Sequence, residues 1–166
     1  MGTQRSVRNG QLLHCLKRGL SGYVTYLAAC QMNEAYSEYV LYEPILRILT
    51  ALGCEARCEV PCKGLKLVGR GDRKRIDFVA TRNNLSFALE VKWVRKGGRQ
   101  DVTRDYEKLK WFRDNNPNAD AYLCVFGRQS HIGALTLNPP NFLEVGQPVI
   151  ADVGKTRYGC RIYRPS

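Results

Sequence analysis

Histidine is nearly missing from this chain: His14 and His131 are the only two in 166 residues, and nothing in their spacing suggests a zinc pair. A histidine-built metal centre is thereby set aside, and each His is assigned to ordinary surface or core. The seven cysteines, at positions 15, 30, 54, 58, 62, 124 and 160, include no CxxC pair, so a structural zinc site is not indicated either. Cys54, Cys58 and Cys62 recur every fourth residue, but residues 58 to 62 read as a strand, where that period does not gather thiols at one point. They are expected to be free thiols, which fits a reducing cytoplasm better than an oxidising compartment.

Long apolar runs are also absent, and nothing approaches the roughly 20 residues of a membrane span. Leu27-Ala28-Ala29-Cys30 after a basic start has the look of a lipoprotein processing box. A secretory segment, however, needs roughly 7–15 strongly apolar residues, and residues 20 to 27 carry Ser21, Gly22, Tyr23, Thr25 and Tyr26. The expectation is an unprocessed cytoplasmic protein with no membrane partner.

Acidic residues are the remaining shortage. Fifteen Asp and Glu face 26 Lys and Arg, a net charge of +11, and such an excess attracts a polyanion at long range. Nucleic acid is the favoured partner, ahead of lipid headgroups. With 44% apolar and 25% charged residues, the chain can bury one core and is not expected to be disordered. One domain over residues 1 to 166 is expected, with a helical extension over 1 to 32, a core over about 33 to 127, and C-terminal loops and a strand over 128 to 166.

Leu12, Leu13, Leu16 and Leu20 have helical spacing, which Gly19 and Gly22 then interrupt. From Asn33 onward Leu41, Ile45, Ile48, Leu49 and Leu52 repeat at helical spacing, with Gly53 just beyond the C-cap. Pro44 either kinks that helix or opens a second one. Residues 55 to 61, 75 to 81 and 85 to 94 read as a three-stranded meander, with Asn83-Asn84 as a tight turn. Residues 101 to 115 form a helix with Val102, Tyr106, Leu109 and Phe112 on one face, and residues 121 to 126 a buried strand. The rest, with Pro139-Pro140, Pro148 and Gly154, reads as loops plus a closing strand over 158 to 163.

Alternation along the third strand sets Phe87, Leu89, Val91 and Trp93 on one face and Ala88, Glu90, Lys92 and Val94 on the other. A carboxylate and an ammonium two apart in so apolar a strand are costly to bury, and a functional site is one way such a cost is retained. Asp77, between Ile76 and Phe78, is a lone acid on the preceding strand, and the hairpin would let Asp77 and Glu90 converge on one cation. Hard carboxylate oxygens suit Mg²⁺, with Mn²⁺ as a substitute, and Lys92 could orient a water or meet charge on phosphorus. Trp93 and Trp111 read as core anchors. A buried structural ion-pair network of Asp77, Glu90 and Lys92 is the bland alternative.

Asp77 followed by Glu90-Val91-Lys92 on the next strand, within this element order, resembles the PD-(D/E)xK nuclease superfamily over roughly residues 33 to 127. Ile76 stands where the name-giving proline would be. The resemblance implies an α/β, restriction-endonuclease-like mixed β-sheet with flanking helices, core order α-β-β-β-α-β. It further implies a Mg²⁺-dependent nuclease with DNA favoured over RNA, ligands Asp77, Glu90 and the Val91 carbonyl, and Lys92 assisting the water. Family members often add an acid from the first helix; phase favours Glu38 over Glu43, which falls on the opposite side. Glu34, which shares the phase of Glu38, is set aside because it lies near the helix start, where an acid favours the dipole.

Arg70, Arg73, Lys74, Arg75, Lys96 and Arg99 flank the acids and are expected to contact nucleic-acid phosphates. The resemblance would let Asp105 and Lys108, three apart on the second helix, contact substrate or the outer shell of the metal. An ordinary helix-surface ion pair explains them as well or better, and they are left outside the core site. Cutting both strands of a duplex commonly uses two sites, which suggests a homodimer. The alternative is a non-catalytic nucleic-acid-binding or regulatory protein retaining the same fold.

Overall fold

The computed structural model describes residues 3–32, 37–65, 74–83, 85–95, 98–151 and 156–166. Helix α1 (Thr3–Ala29) leads to a 3₁₀ turn (Tyr39–Leu41), helix α2 (Tyr42–Ala51) and strands β1 (Glu55–Pro61), β2 (Arg75–Arg82) and β3 (Leu85–Val94). Then come β4 (Arg99–Asp101), α3 (Thr103–Asn115), β5 (Asp120–Arg128) and the short α4 (Gln129–Gly133). Strands β6 (Thr136–Asn138), β7 (Phe142–Glu144), β8 (Val149–Ala151) and β9 (Tyr158–Pro165) complete the chain.

The result is an α/β architecture on a mixed sheet. Seven strands join in the order β1-β2-β3-β5-β9-β7, with β8 also on β9, while β4 and β6 form a separate pair. In the large sheet only β3 and β5 are parallel, as a crossover through α3 requires. The expected succession α-β-β-β-α-β therefore appears as α2, β1, β2, β3, α3 and β5, with the small β4 inserted before α3.

Helices cover both faces. Leu12, Leu13, Leu16 and Leu20 of α1 and Ile45 and Leu49 of α2 bury against Phe78, Leu89, Val91 and Phe126. Leu109 and Phe112 of α3 bury against Val79, Ala88, Val94, Leu123 and Val125 on the opposite face. The strand residues alternate between these two groups because successive side chains point to opposite faces.

Several local expectations are met and several are corrected. Gly53 sits at φ +75, and the N–H groups of Gly53 and Cys54 donate to the carbonyls of Thr50 and Leu49, a Schellman end to α2. Pro44 lies in the first turn of α2, so it opens a helix and does not kink one. Asn83 has φ +49 at the hairpin, and Asn84 lies outside the described residues.

Gly19 and Gly22 do not break α1. A Cβ at Gly19 would stand 2.5 Å from Ile48 Cδ1, so the glycine lets α1 and α2 approach. Asp101 precedes α3, its Oδ1 accepting the Thr103 N–H at 2.9 Å. The C-terminal part holds more strand than loop: β9 runs antiparallel along β5 from Leu123↔Tyr163 to Arg128↔Tyr158. Among the described residues no helix is long and apolar enough to cross a membrane.

Candidate functional site

The β2–β3 register runs from Arg82↔Leu85 to Phe78↔Leu89 and stops there. One more step would set Asp77 against Glu90. Instead the Asp77 side chain takes over a backbone role: Oδ2 accepts the Val91 N–H at 2.8 Å. On the far side of β2, Glu59 of β1 is held at φ +53, a costly conformation for a residue with a side chain. Core alternation changes at the same point, since Ile76 packs on the α3 face and Phe78 on the α1 face. Asp77 thus stands where β2 bends away from β3.

The Tyr42 hydroxyl, from the first turn of α2, donates to Asp77 Oδ1 at 2.7 Å and reaches Glu59 Oε1 at 3.1 Å. Burial and the facing Asp77 carboxylate raise the Tyr42 pKa strongly, so it remains a donor. Burial also raises the Asp77 pKa, against the opposing pull of the Val91 and Tyr42 hydrogen bonds.

Glu90 is 1% exposed. Its Oε2 accepts from Lys108 Nζ at 2.6 Å, while Oε1 is buried with no hydrogen-bond partner among the described residues. Burial first, then the Asp77 charge, push the Glu90 carboxyl well above its usual range, and the Lys108 ammonium pulls the other way. For Lys108 burial acts to lower the pKa, but Glu90 and Asp105 more than reverse it, so the lysine is held charged.

Glu90 and Lys92 share a face, as alternation expects, and that face meets α3. Lys92 Nζ lies 3.5 Å from Asp105 Oδ2 and 3.9 Å from Glu38 Oε1. Burial works against the Lys92 charge, and Asp105 followed by Glu38 outweigh it to give a raised pKa. Glu38 also accepts the Trp93 N–H at 3.3 Å. Asp105 Oδ1 stands 3.4 Å from Lys108, closing a chain of charge that runs Glu38, Lys92, Asp105, Lys108, Glu90.

The expected site residues are therefore distributed as follows. Asp77, Glu90, Lys92 and Glu38 come to one region where β2, β3 and α3 meet, and Val91 enters through its N–H. Glu43 points away and pairs with Arg47 on the surface of α2, while Glu34 lies outside the described residues. Lys74 and Arg75 are exposed at the start of β2. Arg99 is exposed on β4, its Nη2 donating to Asn138 Oδ1 at 2.8 Å. Arg70, Arg73 and Lys96 lie outside the described residues. Trp93 packs away from Glu90, its ring 4.9 Å from that of Phe126.

Asp105 and Lys108 correct the sequence reading: they are not a surface pair, since Lys108 is 6% exposed and inside the charge chain. The signal was present in the helix phase. At about 100° per residue Asp105 falls within the stripe of Val102, Leu109 and Phe112 that faces the sheet. Tyr42 and Glu59 were also missed, and no sequence spacing links them to Asp77.

Among the described residues no three His, Cys, Asp or Glu are gathered as a ready metal cage. The donors present still fit a hard divalent cation that keeps several waters. Among the described residues the carboxylates of Glu38, Glu90 and Asp105 share two ammonium groups, Lys92 and Lys108, Asp77 takes hydrogen bonds from Tyr42 and the Val91 N–H, and Glu90 Oε1 accepts no hydrogen bond. Comparisons with protein-family models, curated proteins and solved structures find no match to this chain.

Proposed function

We propose that this chain is a Mg²⁺-dependent nuclease of the PD-(D/E)xK kind, hydrolysing phosphodiester bonds in nucleic acid, DNA in preference to RNA. The observation that carries the reading is the buried Glu90 carboxylate, one oxygen without a partner among the described residues, beside Asp77 at the point where β2 leaves β3. The restriction-endonuclease-like fold belongs to the same proposal; the antiparallel β1-β2-β3 and the parallel β3-β5 step support it.

Asp77, Glu90 and the Val91 carbonyl would hold the cation. Bound there, Mg²⁺ would supply a water of lowered pKa and polarise the phosphate. Tyr42 and the Val91 N–H fix the Asp77 carboxylate in orientation. Lys92, kept charged by Asp105 and Glu38, orients the attacking water or meets charge building on the phosphate oxygens. Lys74, Arg75 and Arg99, with Arg70, Arg73 and Lys96, would follow the nucleic-acid backbone, and a homodimer would bring two such sites to a duplex.

One observation favours a second reading. The 2.6 Å Lys108–Glu90 pair is also what a buried structural ion network contains, as in a nucleic-acid-binding protein that keeps the fold without turnover. Tight, salt-sensitive DNA binding with no cleavage across divalent metals would select that reading. The deciding experiment is incubation of DNA with protein and Mg²⁺. Cleavage that EDTA stops, and that Lys92→Ala abolishes while the variant remains folded by circular dichroism, supports the nuclease. Undiminished cleavage by Lys92→Ala refutes the assignment of roles.

A further inference from the structure

An unpaired buried carboxylate is too costly to persist, so Glu90 must be neutralised whether or not a metal is present. Helix α3 supplies the charge. Lys108 lies on the side of α3 that faces β3, is 6% exposed, and sets its ammonium 2.6 Å from Glu90 Oε2. The same ammonium is 3.4 Å from Asp105 Oδ1, one helical turn back. Two carboxylates therefore lie within reach of one flexible cation, on an element that need not move. Glu90 Oε1, meanwhile, has no hydrogen-bond partner among the described residues.

We propose that Lys108 is the internal counter-cation of this site. It holds Glu90 in its buried position in the metal-free protein, and its ammonium passes to Asp105 when a divalent cation takes Glu90. Lys108 is thus a positioning residue that acts through Glu90 and sets the affinity for the cation. The inference rests on the nuclease reading for the identity of that cation. Like charges repel strongly where water is scarce, so a cation arriving at Glu90 must displace the ammonium or bind against it. A lysine present only for stability would, on removal, weaken the fold and leave the cation affinity alone.

The test is calorimetric titration of the full chain with Mn²⁺ alone, comparing the natural protein with Lys108→Gln and Lys108→Arg. Gln keeps a hydrogen-bond donor for Glu90 but removes the competing charge, whereas Arg keeps the charge. The expected result is that Lys108→Gln binds Mn²⁺ about tenfold tighter or more, and that Lys108→Arg does not. Affinities within twofold of one another for the natural protein and Lys108→Gln overturn the inference and leave the nuclease reading standing. Absence of Mn²⁺ binding in every form overturns the reading itself and the inference with it. Should Lys108→Gln fail to fold without metal, refolding is repeated with Mn²⁺ and, separately, with KCl at equal ionic strength. Recovery in Mn²⁺ alone supports the counter-cation role, and no recovery in either overturns it.

Discussion

Asp77 Oδ2 accepts the Val91 N–H at 2.8 Å, so a side chain of β2 completes the hydrogen bonding of β3 just beyond the last backbone pair. Its other oxygen accepts the Tyr42 hydroxyl, and one carboxylate thus ties together β2, β3 and α2. Asp77→Ala leaves the Val91 N–H without its acceptor and leaves the Tyr42 hydroxyl to Glu59 Oε1 at 3.1 Å. Urea unfolding should show a loss of about 1–3 kcal/mol, and Asp77→Asn, which keeps an acceptor, should lose less. Both variants should lose Mg²⁺-dependent cleavage. Full activity in either would remove Asp77 from the proposed cation site.

Lys17 offers a pH-dependent test far from the candidate site. Its buried ammonium donates to the carbonyls of Val145 at 3.0 Å and Gln147 at 2.6 Å, anchoring α1 to the segment between β7 and β8. Burial lowers its pKa below the ordinary 10.5, outweighing the nearby Cys160, Glu144 and Cys124. Between the lowered folded value and 10.5 the unfolded chain binds more protons, so the Lys17 contribution to stability rises with pH in that window. The stability advantage of the natural protein over Lys17→Met should therefore grow as pH is raised from neutral toward 10.5. A constant or shrinking difference in urea unfolding would contradict this sign.

Lys74 and Arg75 are exposed just ahead of Asp77 on the chain. Replacing either by Ala should weaken DNA binding about equally for all sequences, because phosphate contacts carry no base information. Each should also flatten the dependence of log affinity on log salt by about 1. Fluorescence anisotropy over a range of KCl concentrations measures both quantities, and unchanged slopes would place the DNA surface elsewhere.

What the sequence made legible was local. Alternation in β3 set Glu90 and Lys92 on one face and Trp93 on the other, because strand geometry repeats every two residues regardless of partners. The Schellman end at Gly53 and the hairpin at Asn83 follow from backbone preferences read within a few residues. The phase of the segment before α2 favoured Glu38 over Glu43, and the structure sets Glu38 beside Lys92 and Glu43 beside Arg47. β6, β7 and β8 escaped notice because three residues are too few to display a period.

The sequence by itself determined which residues carry charge in apolar strands, since Asp77, Glu90 and Lys92 interrupt hydrophobic patterns wherever the chain goes. Only the tertiary structure decided what those charges face. Lys108 meets Glu90 from 18 positions away, and Tyr42 meets Asp77 from 35. Such pairings depend on how α2 and α3 lie across the sheet, and helix packing is set by side-chain surfaces distant in sequence.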